Sequence, residues 1–542
     1  MNDIPSSFCS LATEVHKEEL DLMLSSIALF HKKSKVFCLV DTKTFNFCKN
    51  AYYNDLLEIV WLNTLDNFSG KTRKEMETDG SIDSFWDLKT VIMELALKYC
   101  PDTLYLDADC ILLQKIIGID KSKLFGLSPH RIPQKNCQET GYYNAGFVWS
   151  SSKKFAQLWR QANKTSDYGD QKSLETLALN YVGKFFEFDD SFNLMPWTSI
   201  LNDEIFSLYK SRFTIIDNVI YYNFKPLKSV HTHIRDSRFI DFNSLIIKLL
   251  KSSGNYRLLT IIEKSIAGHW NVTIPSQPRN DIYHHNNDSF RELAALSCEH
   301  EFENNLQISR DTNFNHCHLG SYILLYDRPT LEWAKDIEKS DCKIICLGNG
   351  DIKDEGKYLS RFVKTVPWIF WPRNPKFLNN YIKENRYLPF EDRSFESCFI
   401  GNIENSTQEK HRNAKSWQDY IEFFSLTNGS HHKYTQSQYF DIYSKSKFGL
   451  CLQGYGKKCH REIECMAVGT VPVVMEDKQY GSFVEPLEEN VHYIKIKNPD
   501  DMKKLANLPK ASWELMSDNC LRWYNANCSP SNWLNTTLKS IL

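Results

Sequence analysis

The 542-residue chain lacks several features that sort proteins quickly. No run approaches the roughly 18 uninterrupted apolar residues of a membrane-spanning helix. Charge of one sign is missing too: 65 Lys and Arg stand against 67 Asp and Glu, a net of −2. That balance excludes the basic footprint of a nucleic-acid binder or a basic membrane patch. The 16 cysteines form no CxxC pair and no dense regular spacing, which argues against a disulfide framework. Cys9, Cys38, Cys110 and Cys451 lie inside apolar runs and read as small buried hydrophobes. Met1–Ser10 has no charged region followed by an apolar one, so no secretory leader is read there. Sequons such as Asn271-Val-Thr273 are then chance, and the expected location is cytoplasmic.

What is present is length, aromatics and alternation. A chain this long needs two or more cores. Its 13 Trp, 26 Tyr and 33 Phe suit contacts with sugar rings, although most are expected in the core. The first part alternates strand and helix patterns. Phe8–Ala12, Lys35–Asp41 and Leu57–Leu62 read as strands; Glu18–Phe30 and Phe85–Tyr99 read as amphipathic helices. This implies an α/β fold with a mostly parallel sheet covered on both faces. Pro, Asn and Asp cluster between Pro275 and Ser289, marking a linker. The expected division is a domain over 1–270, a linker over 271–294 and a second α/β domain over 295–542, itself two small lobes. No internal repeat is evident.

Thr103-Leu-Tyr-Leu-Asp-Ala-Asp-Cys110 carries the most chemistry. A short apolar strand ends in two carboxylates, Asp107 and Asp109. Carboxylates beside a core are costly unless paired or coordinating a metal. The carboxyl ends of central strands are where open α/β sheets bind ligands. Hard oxygen donors suit Mg²⁺ or Mn²⁺, which usually clamp phosphates. A solvated Asp turn is the plainer alternative. Gly141-Tyr-Tyr-Asn-Ala-Gly-Phe-Val-Trp149 follows, with glycines and an Asn that let backbone approach a ligand before a strand resumes. Asp167-Tyr-Gly-Asp-Gln171 opens a helix, where Asp170 is either an N-cap or, with Gln171, faces substrate. Val230-His-Thr-His-Ile234 directs His231 and His233 to one side of a strand, where one of them would complete an oxygen-rich metal site.

In this order these segments resemble a GT-A glycosyltransferase of family 8. Leu104–Asp109 matches the family's DxD segment, Tyr143–Phe147 its Asn-Ala-Gly segment, Asp170-Gln171 its Asp-Gln pair, and the late histidines its C-terminal metal ligand. The resemblance spans about residues 5–240. It implies a nucleotide-sugar donor, a UDP-sugar by preference, and Mn²⁺ or Mg²⁺ held by Asp107, Asp109 and a histidine. It implies donor contacts from Lys89, Asp107, Asn144, Ala145 and Gly146, with Asp170 and Gln171 as catalytic residues beside sugar and acceptor. The sequence His-Thr-His-Ile departs from the family's His-x-x-Gly-x-x-Lys-Pro-Trp. This leaves His231 versus His233 open.

The second half has its own constellation. Ser446-Lys-Phe-Gly-Leu-Cys-Leu-Gln-Gly-Tyr-Gly456 is a strand and Gly-punctuated loop, followed by the helix Arg461–Val468 closed by Gly469. Arg461 and Glu464, three apart, share a helix face near its N-terminus, where anions are attracted. A surface Arg–Glu pair is the plainer alternative. Strand, loop, Arg-x-x-Glu helix and Gly-Thr-Val-Pro-Val-Val474 strand resemble the nucleotide-binding half of exostosin-like, family 47 GT-B glycosyltransferases. Phe399-Ile-Gly-Asn402 with Arg412-Asn413 resembles the start of that lobe. The resemblance implies Gly454 at the donor, Arg461 on its diphosphate and Glu464 on its ribose, without a bound metal.

The combined expectation is an enzyme: a bifunctional hexosyl- or pentosyltransferase extending a glycan or polysaccharide, metal-dependent in its first domain. One alternative is a single active GT-A domain with a degenerate, acceptor-binding partner. Another is a sugar nucleotidyltransferase, which wants a glycine-rich loop after the first strand; Ala12-Thr-Glu-Val-His-Lys17 has no glycine. A lectin-like module has no need for two phosphate-binding constellations.

Overall fold

The computed structural model describes residues 3–132, 134–166, 169–196, 207, 209–275, 292, 296, 306–311, 317–325, 343–348, 362–367, 372–429, 433–454, 460–475, 480 and 483–542. It forms two compact units, Met1–Gly268 and His269–Leu542.

The first unit is built on β1 (Ser7–Ala12), β2 (Lys35–Val40), β3 (Glu58–Asn63), β4 (Thr103–Leu106), β5 (Cys110–Leu112), β6 (Phe125–Pro129), β7 (Tyr143–Ser150) and β8 (Phe185–Glu187). All but β5 join one sheet, in the order β3-β2-β1-β4-β7-β6-β8. β1 to β4 are parallel neighbours, while β7 runs antiparallel to both β4 and β6. Every residue of β1 and β4 is buried, because helices cover both faces of the sheet. The helix Ile82–Tyr99 contributes Ile92, Met93 and Ala96 to the core. The helix Lys153–Asn163 adds Phe155 and Trp159.

The chain leaves β1 for β2 on one side and later returns to β4 on the other. That reversal opens a crevice beyond the carboxyl ends of β1 and β4, where sheets of this type bind ligands. Three further strands, β9 (Phe213–Ile216), β10 (Val219–Tyr222) and β11 (Lys225–Pro226), form a small antiparallel sheet. β12 (Ser229–His231) pairs antiparallel with β5, setting His231 opposite Cys110. The helices Ile240–Ser252 and Tyr256–Ala267 complete the unit.

In the second unit, β13 (Trp270–Pro275), β14 (Leu306–Asp311), β15 (Cys317–Leu319), β16 (Tyr322–Leu325), β17 (Lys343–Gly348) and β18 (Phe362–Pro367) form a mixed sheet ordered β14-β13-β15-β16-β17-β18. β19 (Phe395–Ile403), β20 (Phe423–Asn428), β21 (Ser446–Cys451), β22 (Val471–Met475) and β23 (Ile494–Ile496) form a parallel sheet ordered β20-β19-β21-β22-β23. Among the described residues the architecture is α/β: one seven-stranded sheet flanked by helices in the first unit, and a mixed and a parallel sheet in the second. One expectation is corrected. Residues 271–275 begin no linker; they are strand β13, paired along its length with β14. The alternation Trp270, Val272, Ile274 fits a strand, and the polar cluster after it obscured this. The rest of the expected linker lies outside the described residues, Glu292 excepted.

Candidate active sites

In the first unit, Lys89 sits two turns into the helix Ile82–Tyr99, under the end of β4. Its ammonium lies 3.0 Å from Asp107 Oδ1 and 2.9 Å from Asp170 Oδ2. Burial works against the charge, yet Asp107 and Asp170 outweigh it and hold Lys89 above the ordinary lysine range. Asp107 also accepts from Tyr105 Oη at 2.8 Å. Asp170 is no N-cap. It lies inside the first turn of the helix Gly169–Asn180, and its backbone carbonyl accepts from Trp159 Nε1 at 2.9 Å. Burial raises its carboxyl above the usual range despite Lys89. Gln171 follows, its buried Oε1 without a hydrogen-bond partner.

Asp109 stands apart from this trio. His231 Nε2 is 3.1 Å from its Oδ1, and His233 Nε2 is 3.5 Å from its Oδ2. Burial disfavours charge on Asp109, but the His231 and His233 imidazoliums hold its carboxyl far below the usual range. The reciprocal attraction to Asp109 holds His231 well above the usual imidazole range, against burial. Cys110 Sγ shares the Asp109–His231 neighbourhood and donates to Gly146 O at 3.5 Å. The cysteine read as a plain hydrophobe therefore borders the site.

The Asn-Ala-Gly segment does not precede the strand. All three residues lie in β7, opposite a register shift between Leu127 and Ser128. A β-carbon on Gly146 would collide with the Asp107 carboxylate and the His231 ring. The glycine thus makes room for two of the chain's own side chains. Asn144 Oδ1 accepts from Gly146 N at 3.0 Å and from Asn193 Nδ2 at 3.2 Å. Ala145, one residue along the pleat, turns to the other face and packs in the hydrophobic core.

Asp107 and His231 both approach Gly146, and His231 in turn pairs with Asp109; two hard carboxylates and an imidazole are donors that suit Mn²⁺ or Mg²⁺. His231 Nδ1 is buried without a hydrogen-bond partner. His233 is pulled toward another carboxylate, Glu19, with Nδ1 2.9 Å from Oε1.

In the second unit, Arg461 and Glu464 are 2 % and 3 % exposed, so they are no surface pair. The Arg461 guanidinium rests on the Phe399 ring at 4.8 Å. It donates to Ile400 O at 2.9 Å, within β19, and to Leu452 O at 3.4 Å, just past the end of β21. Glu464 accepts from Arg373 N at 3.1 Å and Tyr439 Oη at 2.8 Å. Burial opposes its charge, but the Arg373 and His460 charges keep its carboxyl below the usual range. Gly454 lies beside Arg412, where a β-carbon would come within 3.0 Å of Nη2. Arg412 donates to Gln453 O and Asn402 O at 3.0 and 2.7 Å. Gly456 and the rest of that loop, 455–459, lie outside the described residues.

No family pattern matches the chain, and no curated protein does. Solved structures similar to it include the galactosyltransferase LgtC in complex with donor and acceptor sugar analogs. That structure is 15 % identical, covers 46 % of this chain and 95 % of its own, and has a TM-score of 0.31. Mouse xyloside xylosyltransferase 1 is 11 % identical over 42 % of this chain and 97 % of its own, with a TM-score of 0.28. The glycosyltransferase GlyE of Streptococcus pneumoniae TIGR4 is 11 % identical over 92 % of this chain and 98 % of its own, also at 0.28. At these levels the functional reading rests on the residues.

Several site residues escaped sequence reasoning. Asn193, His16 and Glu19 in the first unit, and Arg373 and Tyr439 in the second, carry no motif of their own; Tyr105 lies inside the DxD segment, and Arg412 in a segment already singled out, without an assigned role. The available signal was positional. His16 and Glu19 follow β1, and Tyr105 is in β4, the two strands flanking the reversal in strand order.

Proposed function

We propose that the chain is a glycosyltransferase whose first unit transfers a sugar from a nucleotide-sugar donor with a divalent metal. The observation that carries this reading is the gathering of Lys89, Asp107, Asp109, Gly146, Asp170 and His231 beyond the carboxyl ends of the central strands. These residues arrive from five separate stretches of chain. An ion held by Asp107, Asp109 and His231 would neutralise the charge developing on a diphosphate leaving group. Lys89 fixes Asp107 and Asp170 relative to one another, and Asp170 with Gln171 lines the sugar and acceptor side. UDP is the preferred nucleotide by family resemblance.

For the second unit we propose a second transfer that uses no resident metal, with Glu464 receiving the ribose. Arg461 is spent on the Ile400 and Leu452 carbonyls, so its role there is to hold β19 and the exit of β21 around a donor. Asp109→Asn tests the first reading in the full chain. It removes one metal ligand at nearly unchanged volume, and Mn²⁺-dependent hydrolysis of nucleotide sugars should fall at least ~100-fold. Unchanged turnover would sink the assignment.

A further inference from the structure

Glu19 lies at the start of the helix Lys17–Phe30, one turn from His16. Its two oxygens serve two imidazoles: Oε2 is 2.7 Å from His16 Nδ1, and Oε1 is 2.9 Å from His233 Nδ1. The two rings are stacked at 5.8 Å between centroids, 29° from parallel. His16 and Glu19 follow β1, whereas His233 follows β12, so the group ties together parts of the chain 214 residues apart. One ligand atom from each of the three side chains falls within 4.8 Å of the others. None is part of the DxD motif, and the transfer chemistry above does not use the set.

We propose that His16, Glu19 and His233 form a transition-metal site distinct from the Asp107/Asp109 pair, with Zn²⁺ as its preferred class of ion. Two imidazole nitrogens and one carboxylate are a common zinc donor set, with a fourth position left for water. Imidazole-rich sites favour zinc-like ions over Mg²⁺ and Mn²⁺, which carboxylate-rich sites hold better. The outer shell is also present. Zinc-bound histidines typically turn their other ring nitrogen to a carboxylate, and His233 Nε2 faces Asp109 Oδ2 at 3.5 Å. The side chains of His16, Glu19 and His233 are 44 %, 11 % and 35 % exposed, so an ion can enter from solvent. Binding an ion displaces the hydrogen bonds that Glu19 shares between the two rings. The arrangement also divides the two histidines: His231 goes with the DxD pair and His233 with the second ion.

The test is equilibrium dialysis of the metal-stripped full chain against Zn²⁺, with bound metal quantified. Co²⁺ is used in parallel as a visible reporter of tetrahedral nitrogen and oxygen ligation. The expected result is about one Zn²⁺ per chain bound outside the DxD site, retained in Asp107→Asn. In both His16→Ala and Glu19→Gln it should weaken by more than the ~10–100-fold seen when only an outer-shell partner is lost. His16 is half exposed, so its truncation leaves the fold intact, and far-ultraviolet circular dichroism checks this for both variants. Zn²⁺ affinity and the Co²⁺ spectrum unchanged in both variants would overturn the proposal. So would binding lost in Asp107→Asn alone, or no Zn²⁺ bound by the parent chain. The readout is metal content, so it stands or falls independently of the transferase reading.

Discussion

Gly146 shows how one missing methyl group shapes the first site. Its α-carbon stands where the Asp107 carboxylate and the His231 ring both need space. Gly146→Ala therefore pushes two of the three proposed metal ligands. Backbone strain is not the cause, since the residue is ordinary strand. A displacement on the ångström scale typically costs ~100-fold in rate, so that loss is expected in metal-dependent donor hydrolysis, with the thermal transition little changed. Equal loss of folding and activity would mean that the glycine is needed for the sheet instead. His31 makes a different point. It is 4 % exposed, and its Nε2 accepts from Ile116 N at 2.9 Å, so it must be neutral when folded. Burial, assisted by the Lys115 charge, lowers its pKa from 6.5 to about 4. Between those values the unfolded chain binds the proton and the folded chain does not, so stability is full above pH 6.5 and declines as pH falls toward 4. The shift corresponds to about 3 kcal/mol at most. His31→Gln should flatten that part of the stability–pH curve relative to the parent, measured by urea denaturation at stepped pH. An identical slope in both chains would remove His31 as the cause.

At the scale of elements, the second unit depends on a buried cation that no motif marked. Arg393 is 4 % exposed and sits between the Tyr387 and Trp513 rings, 5.3 and 4.8 Å from their centres. It donates to Leu388 O, Ser446 O, Val468 O and Thr470 Oγ1 at 2.8–3.1 Å. These acceptors lie before β19, at the start of β21 and just before β22. Arg393→Met keeps the bulk but orphans three carbonyls, at about 1–3 kcal/mol each. We expect roughly 3 kcal/mol or more of destabilisation, seen as an earlier thermal transition. An unmoved transition would show that water replaces the clasp. The strands themselves were legible: β1, β4, β21 and β22 are apolar runs between polar ends, and periodicity found them. The pair His16–Glu19 was not, because a Glu in a helix's first turn reads as an ordinary complement to the helix dipole. Its partner His233 is remote in sequence. Gly146 reads from the sequence as a place where backbone approaches a ligand, because glycine usually marks one. Here it serves side-chain packing inside a strand. β13 was missed because Pro275 and the polar residues beyond it dominate the local pattern.

At the scale of the whole chain, the two units would meet a diphosphate by different physics. The first gathers carboxylates and histidines, a set that repels a diphosphate unless a cation lies between them. The second offers Glu464, a buried carboxylate beside the Arg373 and His460 charges, and its described residues contribute none to the metal-capable groups found in the first. Chelation should therefore separate the two activities within one polypeptide. In the Glu464→Ala chain, which lacks the proposed ribose acceptor, the remaining nucleotide-sugar turnover should disappear with a chelator and return with Mn²⁺. In the Asp109→Asn chain the remaining turnover should be indifferent to both. The measurement is release of free nucleoside diphosphate across a panel of nucleotide sugars, with each variant assayed with chelator and with Mn²⁺. An Asp109→Asn chain silent toward every donor would reduce the second unit to acceptor binding. One whose remaining turnover still needed metal would place the ion elsewhere than at Asp109.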